Sequence, residues 1–240
     1  MTLPRQLIAV LFALITGCSQ PGIEPAQPPG PTARPADFPA AFYADAAARG
    51  QSVLQIDSSH SLVSITVRRA GALARLGHDH VIASHELQGY VAPQLGRADL
   101  YVALDRLSVD EPALRAKAAL DTQPSAADIE ATRANMLNKL LQTSLHPFAL
   151  IQAHASPEAD GDVLLALELT LHGVTRSLSA PARIRKTPGE LHISGSLSID
   201  QSSFGITPLS ILGGAIQVRD RLELNFEVRA VPPQQQEPRS

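Results

Sequence analysis

The sequence predicts an all-β fold: a closed antiparallel barrel of about eight or nine strands with one α-helix set between them. Two observations point there. Segment after segment alternates apolar and polar residues with the period of a half-buried strand, and one stretch alone carries apolar residues at helical spacing. A third concerns the interior. Aromatics make up only 4% of 240 residues and Trp is absent, so the inward faces are aliphatic and few bulky rings exist to plug them.

Taken in order, the chain opens on a targeting segment. Arg5 precedes an apolar run, Leu7 to Ile15, that is too short to span a bilayer. Leu14-Ile15-Thr16-Gly17-Cys18 resembles a bacterial lipobox, and Cys18 is the only cysteine in the chain. That resemblance implies removal of 1–17 and acylation of Cys18, with each buried methylene of the lipid adding about 0.8 kcal/mol of membrane affinity. Ser19 in the next position implies sorting to the outer membrane, with the body facing the periplasm. Residues 18–50 read as a tether: seven prolines fall between 19 and 39, followed by a short Ala-rich helix over 40–50. The folded body is expected at 51–231 and a disordered tail at 232–240.

Within the body, strands are expected at 53–57, 61–69, 83–92, 98–106, 148–155, 162–171, 176–186, 191–199 and 216–229. In 98–106, Leu100, Val102 and Leu104 share a face opposite Asp99, Tyr101 and Asp105. In 191–199, Ile193 and Leu197 oppose serines, and in the last strand Leu222, Leu224 and Phe226 oppose Glu223, Asn225 and Glu227. These eight apolar residues are the expected lining of an internal cavity. Ser125 and Asp128 form a capping-box start for the helix, and Ile129, Met136, Leu137, Leu140 and Leu141 form its apolar stripe. Pro147 requires the helix to end by His146.

Charge and cysteine content narrow the function. Twenty Lys and Arg against 23 Asp and Glu offer no basic field for nucleic acid. A single cysteine allows neither an internal disulfide nor a multi-thiolate zinc site. Asp57, His60 and Ser61 lie almost adjacent and lack a Gly-x-Ser-x-Gly elbow, which argues against a hydrolase triad.

The histidines admit three readings. His78 and His80, two apart on an extended segment, point to one face and Asp79 to the other. With His85 they could hold a metal. Alternatively, Gly77-His78-Asp79-His80 is a hydrogen-bonded turn, or His78, Asp79, His80 and His85 meet the polar head of a ligand at the barrel mouth. His172-Gly173 reads as a hairpin turn, and His146 as a surface or locally bonded residue.

Several stretches resemble the YceI-like, polyisoprenoid-binding family. Leu169-Thr170-Leu171-His172-Gly173-Val174-Thr175-Arg176 is similar to its most specific hairpin. Gln55 to Ser61, Leu145-His146-Pro147-Phe148 and Ser198 to Ile206 resemble further segments in the same order. Gln201 and Ser203 depart from the Arg and Asp usual there, and Gly77-His78-Asp79-His80 marks a variant subgroup. The resemblance implies a lipocalin-like barrel around an apolar tunnel, a long isoprenoid lipid or quinone as ligand, and binding rather than catalysis. The alternative is a periplasmic metal-binding or redox-accessory protein built on His78, His80 and His85.

Overall fold

A computed structural model describes residues 34–233. The expected signal peptide, Cys18, the first part of the tether and most of the tail lie outside the described residues.

The body is an eight-stranded antiparallel barrel. Four of its staves are long and unbroken: β9 (Gly161–Leu171), β10 (Val174–Thr187), β11 (Glu190–Asp200) and β14 (Arg221–Val231). A fifth, β8 (Phe148–His154), pairs with β9. The other three staves are each broken once. β1 (Leu54–Ile56) continues as β2 (Leu62–Val67), β4 (His80–Ser84) as β5 (Gln88–Ala92), and β6 (Arg97–Ala103) as β7 (Ser108–Val109). The breaks at 57–61, 85–87 and 104–107 lie side by side in the sheet, so these three staves turn together. Both β1 and β2 pair with β14, which closes the ring.

Period-2 alternation explains these strands: polar residues of β9, β10, β11 and β14 are exposed while the alternate aliphatics face inward. It also misplaced some boundaries, because an apolar-rich run can pass over a bend. The run expected at 83–92 is two strands, and 98–106 ends at Ala103. The expected last strand, 216–229, is divided at Arg219-Asp220. Its first part, β13 (Ile216–Val218), turns away to join β3 (Arg69–Ala70) and β12 (Ser210–Ile211) in a small three-stranded flap at one barrel end.

Helix α1 (Ala40–Ala48) is not part of a tether but packs on the outside of the barrel. Pro35, Phe38, Tyr43 and Ala46 are buried. The rings of Phe38, Tyr43, Tyr90, Tyr101 and Phe148 form a connected cluster, and Arg97 stacks on Phe42. Beneath them the Tyr43 hydroxyl donates to Asp99 (2.6 Å), which also accepts from Arg97 (2.7 Å) and Gln152 (2.9 Å). Burial, then the bond to Asp99, pushes the Tyr43 phenol far above its ordinary value. Six of the eight Phe and Tyr residues among the described residues therefore lie outside the barrel wall.

Helix α2 (Pro112–Lys117) is an addition to the single helix expected between strands. Its six residues are too few to show a periodic stripe, although Pro112 at its first turn was a legible start signal. Helix α3 (Ala126–Asn135) begins with the expected capping box: Ser125 and Asp128 each bond the other's backbone amide. It continues as one π-helical turn, Met136–Leu140.

Candidate ligand cavity

The inward side chains do not fill the barrel. A cavity of about 470 Å³ runs inside it, walled almost entirely by aliphatic side chains. All eight residues expected to face inward line it: Leu100, Val102, Leu104, Ile193, Leu197, Leu222, Leu224 and Phe226. Leu104 does so from the turn after β6 rather than from a strand. Leu54, Ile56, Val91, Ala98, Leu191, Val228 and Ala230 are nearly inaccessible and make a tightly packed end. Val63, Ile65, Val67, Leu178, Leu197, Leu222 and Leu224 are only half-buried, because their free surface faces the hollow.

The apolar stripe of α3, expected to be core, supplies one wall of the cavity. In the π turn the Leu141 amide donates to the Met136 carbonyl (2.9 Å), five residues back. That wider turn brings Met136, Leu140 and Leu141 to the same side, and all three line the cavity. Met136 and Leu137 are also buried, so the helix is held while it covers the space.

One region of the wall is polar. Gly77 to Asp79 is extended and leads into β4, not folded as a turn. His78 and His80 face the cavity, with ring centroids 6.2 Å apart, and Thr132 and Asn135 of α3 join them. The His80 Nδ1–H donates to Asp110 Oδ2 (2.6 Å). Asp110 is wholly buried, with φ of 58°, and also accepts from the Val81 amide (3.0 Å) and Arg115 (2.5 Å). Burial alone would raise its carboxyl. The bonds from His80, Val81 and Arg115 outweigh that and hold it below the usual carboxylate range. An ionised carboxylate only accepts, so His80 Nδ1 carries the proton of that bond, and Nε2 lies 3.5 Å from the Thr132 hydroxyl. The His78 Nδ1 is buried and has no protein partner.

Asp79 and His85 do not belong to this group. Asp79 faces away and takes the Arg69 amide (2.8 Å) and Arg68 (3.3 Å). His85 is exposed and bonds Glu111 (3.0 Å) on the outer surface. His85 lies past the end of β4, in the 85–87 break, where its ring turns to the outer surface. The metal reading on His78, His80 and His85 fails with it. Among the described residues no group of three or more His, Cys, Asp or Glu side chains is placed to hold a metal ion.

Sequence reasoning missed Asp110 and Arg115, which stand 30 and 35 positions from His80, beyond any local spacing rule. It also missed the partner of His146. The His146 and His172 rings meet with centroids 4.7 Å apart, and His172 Nδ1 lies 3.3 Å from the Phe204 carbonyl. His172 and Gly173 both have positive φ (53° and 74°), which makes the expected tight hairpin turn.

The barrel is thus hollow and aliphatic, with a polar patch in its wall. The profile of the YceI-like domain family matches residues 54–230, and the chain belongs to that family. Among solved structures, a polyisoprenoid-binding domain from Saccharophagus degradans superposes with a TM-score of 0.54. The two share 14% identity over 76% of this chain and 99% of that one. BcnA of Burkholderia cenocepacia gives a TM-score of 0.50 at 14% identity over 73% and 99%. At these identities the superpositions speak to the fold. No curated protein matches the sequence.

Proposed function

We propose that this protein binds one amphiphile with a long isoprenoid chain, tail inside the barrel and polar head at His78 and His80, and carries it without converting it. The observation that carries this reading is the aliphatic cavity of about 470 Å³. A cavity of about 150 Å³ accepts benzene, so this one has room for about eighteen carbons, or three to four isoprene units. Burial of that chain away from water supplies the affinity, at roughly 25 cal/mol per Å² of apolar surface. A hydroxyl on the head can donate to His80 Nε2, and a carbonyl can accept from His78, which supports a prenyl alcohol or an isoprenoid quinone.

The single cysteine in Leu14-Ile15-Thr16-Gly17-Cys18 supports a lipid anchor and a place in the bacterial envelope, the outer membrane facing the periplasm. An anchored carrier would work at the surface where such lipids reside. The deciding experiment is solvent extraction of the purified protein followed by mass spectrometry, with titration of a fluorescent isoprenoid into the delipidated protein. A prenyl-chain lipid near one per protein, and saturable binding, are expected. Absence of both refutes the reading.

A further inference from the structure

The barrel end that carries His78 and His80 is also where large apolar side chains meet solvent. Among the described residues Leu76, Leu145, Leu164, Ile211 and Leu212 are the exposed ones. Leu76, Ile211 and Leu212 sit on the flap, Ile211 at the end of β12 and the two leucines in the turns that follow β3 and β12. The two flap segments are tied by the Leu73 amide to the Ala215 carbonyl (2.8 Å) and by the β3–β13 pairing. Leu145 stands in the loop entering β8 at the same end. Leu164, near the start of β9, is at the opposite end.

One exposed leucine means little, but this grouping has a cost. Leu212 is 70% exposed and has φ of 51°, a conformation that disfavours any residue with a bulky side chain. Neither burial nor backbone preference accounts for a leucine there. The charges fit the same pattern. Residues 69–78 and 208–218 contain no Asp or Glu, and their only charged side chains are Arg69 and Arg75. Arg69 is held by Asp121 (2.8 Å), whereas Arg75 is exposed and in no ion pair among the described residues. Exposed leucines beside a free cation, with no carboxylate inside these two segments, suit the interface of an anionic bilayer: the side chains enter the acyl boundary and the cation meets the headgroups.

The flap is also a wall of the cavity. Ile211 lines it while 48% exposed, and Leu209, Ile216 and Val218 line it from the same flap. Apolar surface therefore runs without interruption from the flap tip to the interior. We propose that the flap docks on an anionic lipid bilayer and forms the portal through which a lipid chain passes between membrane and cavity. The docking stands on the flap alone; the portal rests on the reading of the cavity as a lipid site.

The test uses the full chain with Cys18→Ser, so that an introduced thiol is unique. Leu212→Cys and, as control, Leu164→Cys are labelled with an environment-sensitive dye and mixed with phosphatidylcholine vesicles containing about one-third phosphatidylglycerol. A blue shift is expected at 212 and not at 164, weakened by salt and by neutral vesicles. Leu76→Asp should reduce the partitioning of the 212-labelled protein about tenfold. No shift at 212, or equal shifts at both sites, overturns the docking. A shift at 212 that needs no vesicles and grows with protein concentration assigns the flap to a second copy and overturns it too. For the portal, Leu212→Asp is used, since Asp tolerates this backbone conformation. Transfer of a fluorescent isoprenoid from vesicles should slow about tenfold while equilibrium binding of detergent-supplied ligand is unchanged. Unchanged transfer refutes the portal. If no variant, including the parent, binds isoprenoid, the cavity reading fails, and the dye shifts still decide the docking.

Discussion

Leu197 and Leu224 are direct cross-strand partners on β11 and β14, and both face the hollow. Replacing both with Phe adds three carbons at each site, six in all, about the content of a benzene ring. A benzene-sized space is about 150 Å³, so the double variant should consume about a third of the 470 Å³. Two outcomes follow from two states of the barrel. If the interior is hollow, the rings gain contacts and the ligand-free protein keeps its melting temperature or gains. If the interior is filled, each ring overpacks it and costs about 1–3 kcal/mol. Two such costs would lower the melting temperature of a domain of this size by roughly 4–24 °C. Binding moves the opposite way. About six carbons of ligand chain lose their place, worth roughly 5 kcal/mol gross at about 0.8 kcal/mol per methylene. Even if half is recovered by a shift of the chain, affinity falls about a hundredfold. The assay is calorimetric melting of delipidated protein paired with fluorescent isoprenoid titration. A steep fall in melting temperature with unchanged binding would refute the hollow-barrel reasoning.

Asp110→Asn removes the charge that holds the buried Arg115, and should cost about 3–5 kcal/mol in denaturant unfolding. The acid limb tests the same group together with Asp99, whose burial would raise it but whose bonds from Arg97, Tyr43 and Gln152 hold it below the ordinary value. Both carboxyls are depressed in the folded state. Their stabilisation is therefore present above the unfolded value of about 3.9 and lost as pH falls through the lowered folded values, so Asp99→Asn or Asp110→Asn should flatten the stability-versus-pH curve below about pH 4. Gly89 has φ of 143°, and a Cβ there would lie 2.2 Å from the Asp99 carbonyl; Gly89→Ala should destabilise by more than about 3 kcal/mol, read from the denaturation midpoint. Cys18→Ser in cells should abolish incorporation of labelled palmitate, and persistent labelling would refute the anchor.

What was legible in the sequence was parity. Alternation set Leu222, Leu224 and Phe226 on the same face without any knowledge of the partner strands, and the same rule separated His78 and His80 from Asp79. His85, in the break after β4, lies beyond the reach of that rule. The bends are marked by a change of parity: the inner face passes from Ile56 to Val63 and Ile65 across the 57–61 turn, and from His80 and Ile82 to Leu87 and Val91 across 85–87. The polar network around His80 was illegible. Asp110 and Arg115 reach it through the β4–β7 pairing and α2, contacts that depend on the closed barrel and have no local signature. The helix was found, but its role was not. A stripe of Met and Leu looks the same whether it covers a solid core or a hollow one.

The division of aromatic and aliphatic residues explains how a barrel can remain hollow and still fold. Hydrophobic burial has to come from somewhere, and here two closely packed regions supply it, the first of them bordering the cavity itself. One is the tight end, where the β1, β5 and β6 arms bring Ile56, Val91 and Ala98 against Leu191 and Val228. The other is the outer layer under α1, where most of the large rings are spent on the outside of β5, β6 and β8. Inside, Phe226 is opposite Gly195, whose missing side chain leaves room for the ring against the wall: a Cβ at 195 would fall 2.5 Å from it. The one large ring on that strand's inner face is thereby laid along the wall and kept from crossing the axis. Aliphatic side chains of similar length around the rest of the circumference do not reach one another, and the space they leave is the ligand's.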